Sequence, residues 1–260
     1  MTATDPWLAA RMHNRVQVAA GEQVLGPAVR AALDEYLSAV RSGLGLGGAV
    51  TAAASDDDRE PDWSGFPDDS LWRRIVGRRI APAWRRVFGR SYRRTAPDAP
   101  DVAGDTRADD EAEQLAERLR QFPRRVWSRI RETWRDGIAR GESPAALRAR
   151  VAELATLEGW DGAATTMTRT EVIGALNGGS MGAALDEQAR TRRPWVKTWL
   201  ATADERTRAE HRAADGQARP LAEPFSVGTD RVQFPGDPRA RTFGTIANCR
   251  CSLTLGPAPE

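Results

Sequence analysis

The chain's only two cysteines stand two residues apart in Asn248-Cys249-Arg250-Cys251, and one of its two histidines, His211, lies between Asp204 and Asp215. Sulfur, imidazole and carboxylate are the ligand types of tetrahedral zinc, so His211, Cys249, Cys251 and either Asp204 or Asp215 could supply a complete metal shell. Against that, C-x-C is not the spacing of the usual zinc knuckle. The competing reading places Cys249, Cys251, Leu253 and Leu255 on one face of a strand, with the cysteines acting as small buried hydrophobes. Asn248, Arg250, Ser252 and Thr254 then face the other way. Cystine geometry excludes a disulfide framework for cysteines so close in sequence.

The run Asp204-Glu205-Arg206-Thr207-Arg208 also admits two readings. Its carboxylates could be catalytic, or they could accept hydrogen bonds from free N–H groups where a strand meets a helix. We expect bracing, with Arg206 and Arg208 paired to carboxylates such as Glu171 or Asp215. His211 has a candidate partner in Asp215, four residues on. No P-loop or H-E-x-x-H occurs in the chain, so no catalytic residue and no cofactor is assigned.

A third group could bind phosphate. Between Leu71 and Arg94 the arginines 73, 74, 78, 79, 85, 86, 90, 93 and 94 occur without one acidic residue, threaded by Trp72, Ile75, Val76, Ile80, Trp84, Val87 and Phe88 at helical spacing. Arg73, Arg74, Arg78, Arg79, Arg85, Arg86 and Arg90 are the candidate nucleic-acid contacts, with Trp72, Trp84 and Tyr92 anchoring the helix or stacking on bases. The alternative is an amphipathic helix whose arginines are solvated or meet the acidic run that follows Pro97, from Asp98 to Glu113.

The elements that must position these groups are mostly helical. Apolar residues recur at three- to four-residue steps from Trp7 to about Ser42, which reads as helix interrupted near Gly26-Pro27. Gly43 to Gly48 ends it, and Ser55 to Asp69 is a polar, turn-rich connector in which we expect mobility. A second helical region starts near Asp109 and runs through Trp134 and Ile138, with Pro123 as a kink. Gly141 stops it, and Ser143-Pro144 caps a helix over about 144–157. Thr168-Arg-Thr-Glu171 has the form of a capping box for a helix to about Arg190, which Asn177-Gly178-Gly179 would weaken. The small residues Gly174, Gly178, Gly179 and Gly182 would let another element approach. After Pro194, Trp195 to Ala201 reads as a strand, Thr202 or Asp204 as the cap of a short helix through His211, and Asp215-Gly216 as a turn. Short extended pieces follow near 231–235 and 249–255. The expected fold class is α+β: a mostly helical N-terminal region, then a small α+β module. Residues 1–108 would form a helical arm carrying the Arg-rich segment 71–94, and 109–260 a second domain, with helices over 109–190 and the module over 195–256.

The order and spacing of Trp195-Val-Lys-Thr-Trp199, D-E-R-T-R at 204–208, His211, Asp215-Gly216, F-P-G-D at 234–237 and N-C-R-C at 248–251 resemble the C-terminal domain of the phage Mu F-like minor head proteins, the head morphogenesis family of tailed phages. The resemblance extends upstream to Arg169-Thr170-Glu171 and fades before about residue 110. It implies that Trp199, Asp204, Arg206, Thr207, Arg208, His211, Asp215, Gly216, Pro235, Gly236, Asn248, Cys249 and Cys251 are fold determinants, with no catalytic role to carry over. It also implies a minor procapsid component associated with the portal, and with major capsid or scaffold protein as further partners, in the host cytoplasm during assembly and then inside the virion head. Double-stranded DNA is the other expected partner. Two departures stand out: Ala203 sits where the strand meets the D-x-R-T-R element, and the chain ends at Glu260, from which we expect no fused effector domain. Two other functions remain open: a metal-dependent or nucleotide-modifying enzyme using Asp204, His211, Asp215, Cys249 and Cys251, or a DNA-binding module using the arginines between Leu71 and Arg94.

Composition narrows the class. The 260 residues suffice for one large or two small domains, and 40% hydrophobic content suits a folded chain. No apolar run approaches the roughly 20 residues of a membrane helix, and the N-terminus lacks a secretory pattern, so the expected compartment is cytoplasmic and no membrane partner is expected. Lysine is almost absent and net charge is +2. Arginine therefore carries the positive charge, which favours planar, bidentate contacts with carboxylate or phosphate.

Overall fold

The structure, a computed structural model, describes residues 6–44 and 69–259. The expected helix stop at Gly43 to Gly48 and the mobile connector from Ser55 to Asp69 fall almost wholly outside the described residues. The architecture is α+β: helices α1 (Pro6–Gly43), α2 (Asp69–Ile75), α3 (Ala81–Thr95), α4 (Asp101–Glu113), α5 (Leu115–Arg118), α6 (Gln121–Ala139), α7 (Pro144–Leu154) and α8 (Asp161–Thr191) precede a small C-terminal module. That module holds β1 (Trp195–Leu200), α9 (Ala209–Ala213), β2 (Ala218–Pro220), β3 (Phe225–Val227), β4 (Asp230–Val232), α10 (Phe243–Ile246) and β5 (Ser252–Pro257). No described helix is long and apolar enough to cross a membrane.

By contact the chain divides into two units, each gathered from separate stretches: residues 1–27, 81–113 and 165–260 in one, and 28–80 and 114–164 in the other. This partition differs from the expected sequential division at residue 108.

The second unit is an aromatic-cored helical cluster. Tyr36 meets Trp72 and Phe122 edge-on at 5.4 and 6.0 Å, Phe122 meets Trp160 at 5.4 Å, and the Trp127 indole donates to the Tyr36 hydroxyl at 3.0 Å. Such edge-to-face pairs add to the stabilisation from area burial. The expected signals at α6 and α7 hold: Gly141 takes φ +69° just past α6, and the Ser143 hydroxyl accepts from the Ala146 amide with Pro144 in the first turn of α7. Pro123, expected to kink a helix, instead lies in the first turn of α6, where a missing N–H costs nothing because that donor would be unpaired anyway. Helix also begins earlier than Asp109, because the acidic run itself folds as α4.

In the first unit, β1 is the middle strand of an antiparallel sheet ordered β2-β1-β5, with Trp199 opposite Leu253 and Lys197 opposite Arg219 and Leu255. β3 and β4 form a separate hairpin turned at Gly228, φ +59°. The expected strand after Pro194 is β1.

Two helix expectations are overturned. Pro27 does not interrupt α1, which runs unbroken from Pro6 to Gly43. An internal proline costs about 3 kcal/mol, and the fully buried Leu25, Val29, Leu33 and Leu37 along the same helix offset it at about 1.5–3 kcal/mol each. Thr168-Glu171 is not a capping box, because α8 begins at Asp161 and Thr168 lies buried within it. Nor does Gly178-Gly179 break α8. A Cβ at Gly179 would sit 2.4 Å from the Phe88 carbonyl oxygen, and one at Gly178 would touch Phe88 and Phe234, so α8 keeps these glycines for close approach.

Candidate functional site

β1 delivers the chain to the motif block and sets its geometry. Trp199, 1% exposed, packs edge-on against Phe225 at 5.4 Å and against His211 at 5.7 Å. Its backbone is closed by Gln217 and Gly216, whose amide donates to the Trp199 carbonyl at 2.9 Å, and Gly216 takes φ +75° to make that turn. Asp215 does not partner His211. Its Oδ1 accepts from the Ala201 amide at 2.8 Å and its Oδ2 from Arg11 at 2.7 Å, so it pins the end of β1 to α1.

Asp204 caps a tight turn rather than the short helix, which starts later with Arg208 as its N-cap residue. One carboxylate oxygen accepts from the Arg206 amide and the Thr207 hydroxyl, both at 3.1 Å. The single Thr207 hydroxyl proton is shared between that oxygen and the Thr202 carbonyl. The same carboxylate takes a two-pronged ion pair from Arg250, one prong at 2.8 Å. The expected ion pairs of Arg206 and Arg208 with Glu171 or Asp215 do not form; the arginine of the turn's ion pair is Arg250, which holds the Asp204 carboxyl down at about 2, first through its hydrogen bond. Arg208 in turn donates to the Ala247 carbonyl and approaches His211 Nε2 at 3.4 Å. Asp204 and Arg208 thus tie D-x-R-T-R to partners 39 to 46 residues away.

The cysteines precede β5 rather than lying within it, because Asn248 at φ +53° turns the chain there. Asn248 is held by its amide on the Thr170 hydroxyl at 3.1 Å and by its side chain on Thr166 at 3.2 Å. Both cysteines are free thiols, and with His211 they are 2% exposed. His211 Nδ1 lies 3.4 Å from Cys251 Sγ and 3.6 Å from Cys249 Sγ, and the Cys251 amide points at Cys249 Sγ at 3.4 Å. The Cys251 thiol is pulled down to about 5, chiefly by its hydrogen bond with Cys249 and further by His211, while that same bond and burial push Cys249 well up. Among the described residues, His211, Cys249 and Cys251 are the metal-type group that forms, without Asp204 or Asp215. The five-residue enzyme constellation therefore does not converge as one centre.

F-P-G-D has a clear structural task. Gly236, φ +82°, lies against α8 so closely that a Cβ would come within 2.8 Å of the Gly174 nitrogen. Pro235 offers its carbonyl to Asn177 Nδ2 at 3.0 Å. Three further residues carry the module without having been singled out for that role. Asn177 also donates to the Cys251 carbonyl at 3.2 Å and accepts from the Leu253 amide, joining α8 to both flanks of the C-x-C turn. Asp237, 1% exposed, accepts from the Gln233 amide at 2.7 Å and from Arg239 at 2.8 Å. Lys197, the chain's single lysine, is fully buried and donates to the Leu221 and Gln233 carbonyls and to Gln233 Oε1. Burial lowers it from 10.5 to about 8, against the nearby charge of Asp237. The one lysine among so many arginines was the signal available for it.

Beside the motif block lies a cleft of about 430 Å³ lined by Arg15, Glu22, Arg169, Asp204, Arg206 and Arg250, among others. Arg169 pairs with Glu22 at 2.7 Å and Arg250 with Asp204. Arg15 and Arg206 have no acidic partner within 4.0 Å among the described residues, leaving an excess of positive charge along the cleft.

The arginine segment is helical throughout, passing from α2 through a π-helical turn (Val76–Ile80) into α3. Trp72, Trp84 and Tyr92 are buried at 1–3% exposure, so they anchor it and do not present faces for base stacking. Tyr92 donates to Asp186 at 2.7 Å and is pushed up to about 12 by burial and then by that carboxylate. Arg78 and Arg79 both pair with Glu35, and Arg85 pairs with Asp109 of the acidic run. Arg73, Arg86, Arg90 and Arg93 are exposed and have no acidic partner within 4.0 Å among the described residues.

No curated protein and no solved structure matches the chain. Residues 128–254 match the family of phage Mu protein F like proteins, a span that takes in every motif of the block. The C-terminal part of this chain is therefore a domain of the phage Mu protein F like family.

Proposed function

We propose that the protein is a minor head component of a tailed phage that docks on the portal oligomer during procapsid assembly in the host cytoplasm and stays in the head interior. The observation that carries this reading is the family match over residues 128–254. The geometry supports it further. D-x-R-T-R, D-G, F-P-G-D and the C-x-C turn are committed to one another and to α1 and α8 by hydrogen bonds, as suits a rigid docking scaffold. The arginine-lined cleft offers an acidic segment of a partner two unpaired guanidiniums, Arg15 and Arg206. The test is co-expression of the tagged full chain with the portal protein of the same phage, followed by pull-down after nuclease treatment. Retention of portal, and its loss in Arg15→Glu/Arg206→Glu, is the expected result. Retention of no head protein overturns it.

A second reading, contact with packaged double-stranded DNA, is favoured by four arginines, 73, 86, 90 and 93, that are exposed and without an acidic partner within 4.0 Å among the described residues. If each meets a phosphate, log K falls with log salt at a slope of about −4. Titration of a duplex against the chain and a four-fold Arg→Gln variant tests it, and equal slopes in the two proteins refute it.

A further inference from the structure

The C-x-C turn brings both of its sulfurs to the same ring nitrogen of His211. One ring nitrogen carries one proton or one lone pair and can satisfy a single sulfur. Here Nδ1 faces two, at 3.4 and 3.6 Å, and the three ligand atoms lie within 4.8 Å of one another. A tetrahedral zinc centre, with bonds of about 2.3 Å to sulfur and about 2.0–2.1 Å to nitrogen, has sulfur–nitrogen edges of about 3.5 Å. The observed distances are those edges. We infer that His211, Cys249 and Cys251 form a three-ligand site for a thiophilic divalent cation of the zinc class, with a water molecule in the fourth position.

Soft sulfur with imidazole selects zinc-class ions over magnesium or calcium, which take oxygen ligands. The surroundings fit a thiolate centre. The Cys251 amide already donates to Cys249 Sγ at 3.4 Å, and Arg208 and Arg250 supply positive charge on either side of the turn. Asn177 fixes the Cys251 carbonyl, and Asn248 sets the backbone turn that brings both sulfurs to one point. The edge of Trp199 walls off the imidazole. Among the described residues no fourth histidine, cysteine or carboxylate joins the group, so the last ligand comes from solvent. Ion binding at Nδ1 leaves the ring proton on Nε2, opposite Arg208 at 3.4 Å. Arg208 then turns wholly to the Ala247 carbonyl that it already holds. The ion ties α9 to the entry of β5, two elements that are otherwise joined around a small core.

The test uses the full chain purified under reducing conditions without chelator. Elemental analysis is expected to find about one zinc per chain, and exchange with cobalt(II) to give the sulfur-to-cobalt charge-transfer band of a tetrahedral dithiolate site. Cys249→Ser/Cys251→Ser is expected to lose both ion and band. Cys251→Val, which keeps the buried volume and the apolar contacts, is expected to lose them while retaining the helical circular dichroism. If serine variants fail to fold, the wild-type cobalt spectrum decides alone. Less than about a tenth of an equivalent of metal after incubation with zinc or cobalt overturns the site. So does a cobalt spectrum without thiolate bands, or full metal content in Cys251→Val.

Discussion

The Asp204–Arg250 pair joins the D-x-R-T-R turn to the C-x-C turn, and Asp204→Asn isolates its charge. Asparagine retains an oxygen for the Arg206 amide and the Thr207 hydroxyl but gives up the ionic part of the Arg250 fork. The two side chains are 27% and 21% exposed, which sets the pair apart from open surface bridges worth about 0–1 kcal/mol. Asp204 falls from 3.8 to about 2 on folding. At about 1.36 kcal/mol per pH unit that is about 2.4 kcal/mol of stability at neutral pH, and screening at the exposed quarter brings it to about 2. The folded form holds the proton less tightly, so this contribution is complete well above 3.8, shrinks as pH falls, and is gone below about 2. Linkage places about half of it at pH 3. Denaturant unfolding of wild type and Asp204→Asn at pH 7 and pH 3 measures the difference directly. A gap near 2 kcal/mol that halves at pH 3 is expected. A gap below about 0.5 kcal/mol at pH 7, or one that ignores pH, refutes the reasoning.

Three other outcomes follow from single sites. Lys197→Met leaves the Leu221 and Gln233 carbonyls without their donor, yet removes an ammonium whose burial lowers it from 10.5 to about 8. The unfolded chain then holds more protons than the folded one between those values, so wild-type stability relative to the variant should rise by about 3 kcal/mol from pH 7 to pH 11, read by denaturation. Gly179→Ala drives a Cβ into the Phe88 carbonyl at 2.4 Å and should cost about 2–3 kcal/mol in the same assay, because backbone cannot yield as a side-chain tip does. Tyr92→Phe removes the bond to Asp186 but keeps the ring, and should lower stability by about 1–2 kcal/mol while Asp186 stays paired with Arg107.

What could be read along the chain was whatever a residue settles with its near neighbours. The stop at Gly141, the Ser143-Pro144 start, the β1 strand and the Gly216 turn are decided by dihedral preference and by donors within three residues, and those signals are printed in the sequence. The α+β class follows from the same local periodicities. Tertiary structure decided the rest. Pro27 and Thr168 carry the local marks of a helix break and a helix start, yet both lie inside unbroken helices whose buried faces outweigh those marks. The ion pair of the D-x-R-T-R turn formed between Asp204 and Arg250, not between its own arginines and Glu171 or Asp215, and Asn177 reached Cys251 across 74 residues. The position of Lys197 in the core, and the meeting of His211 with both cysteines, depend on how β1, α9 and the Asn248 turn pack. Hydrogen-bond and ion-pair partners far apart in sequence are chosen by which groups lose water together, and only the assembled core determines that.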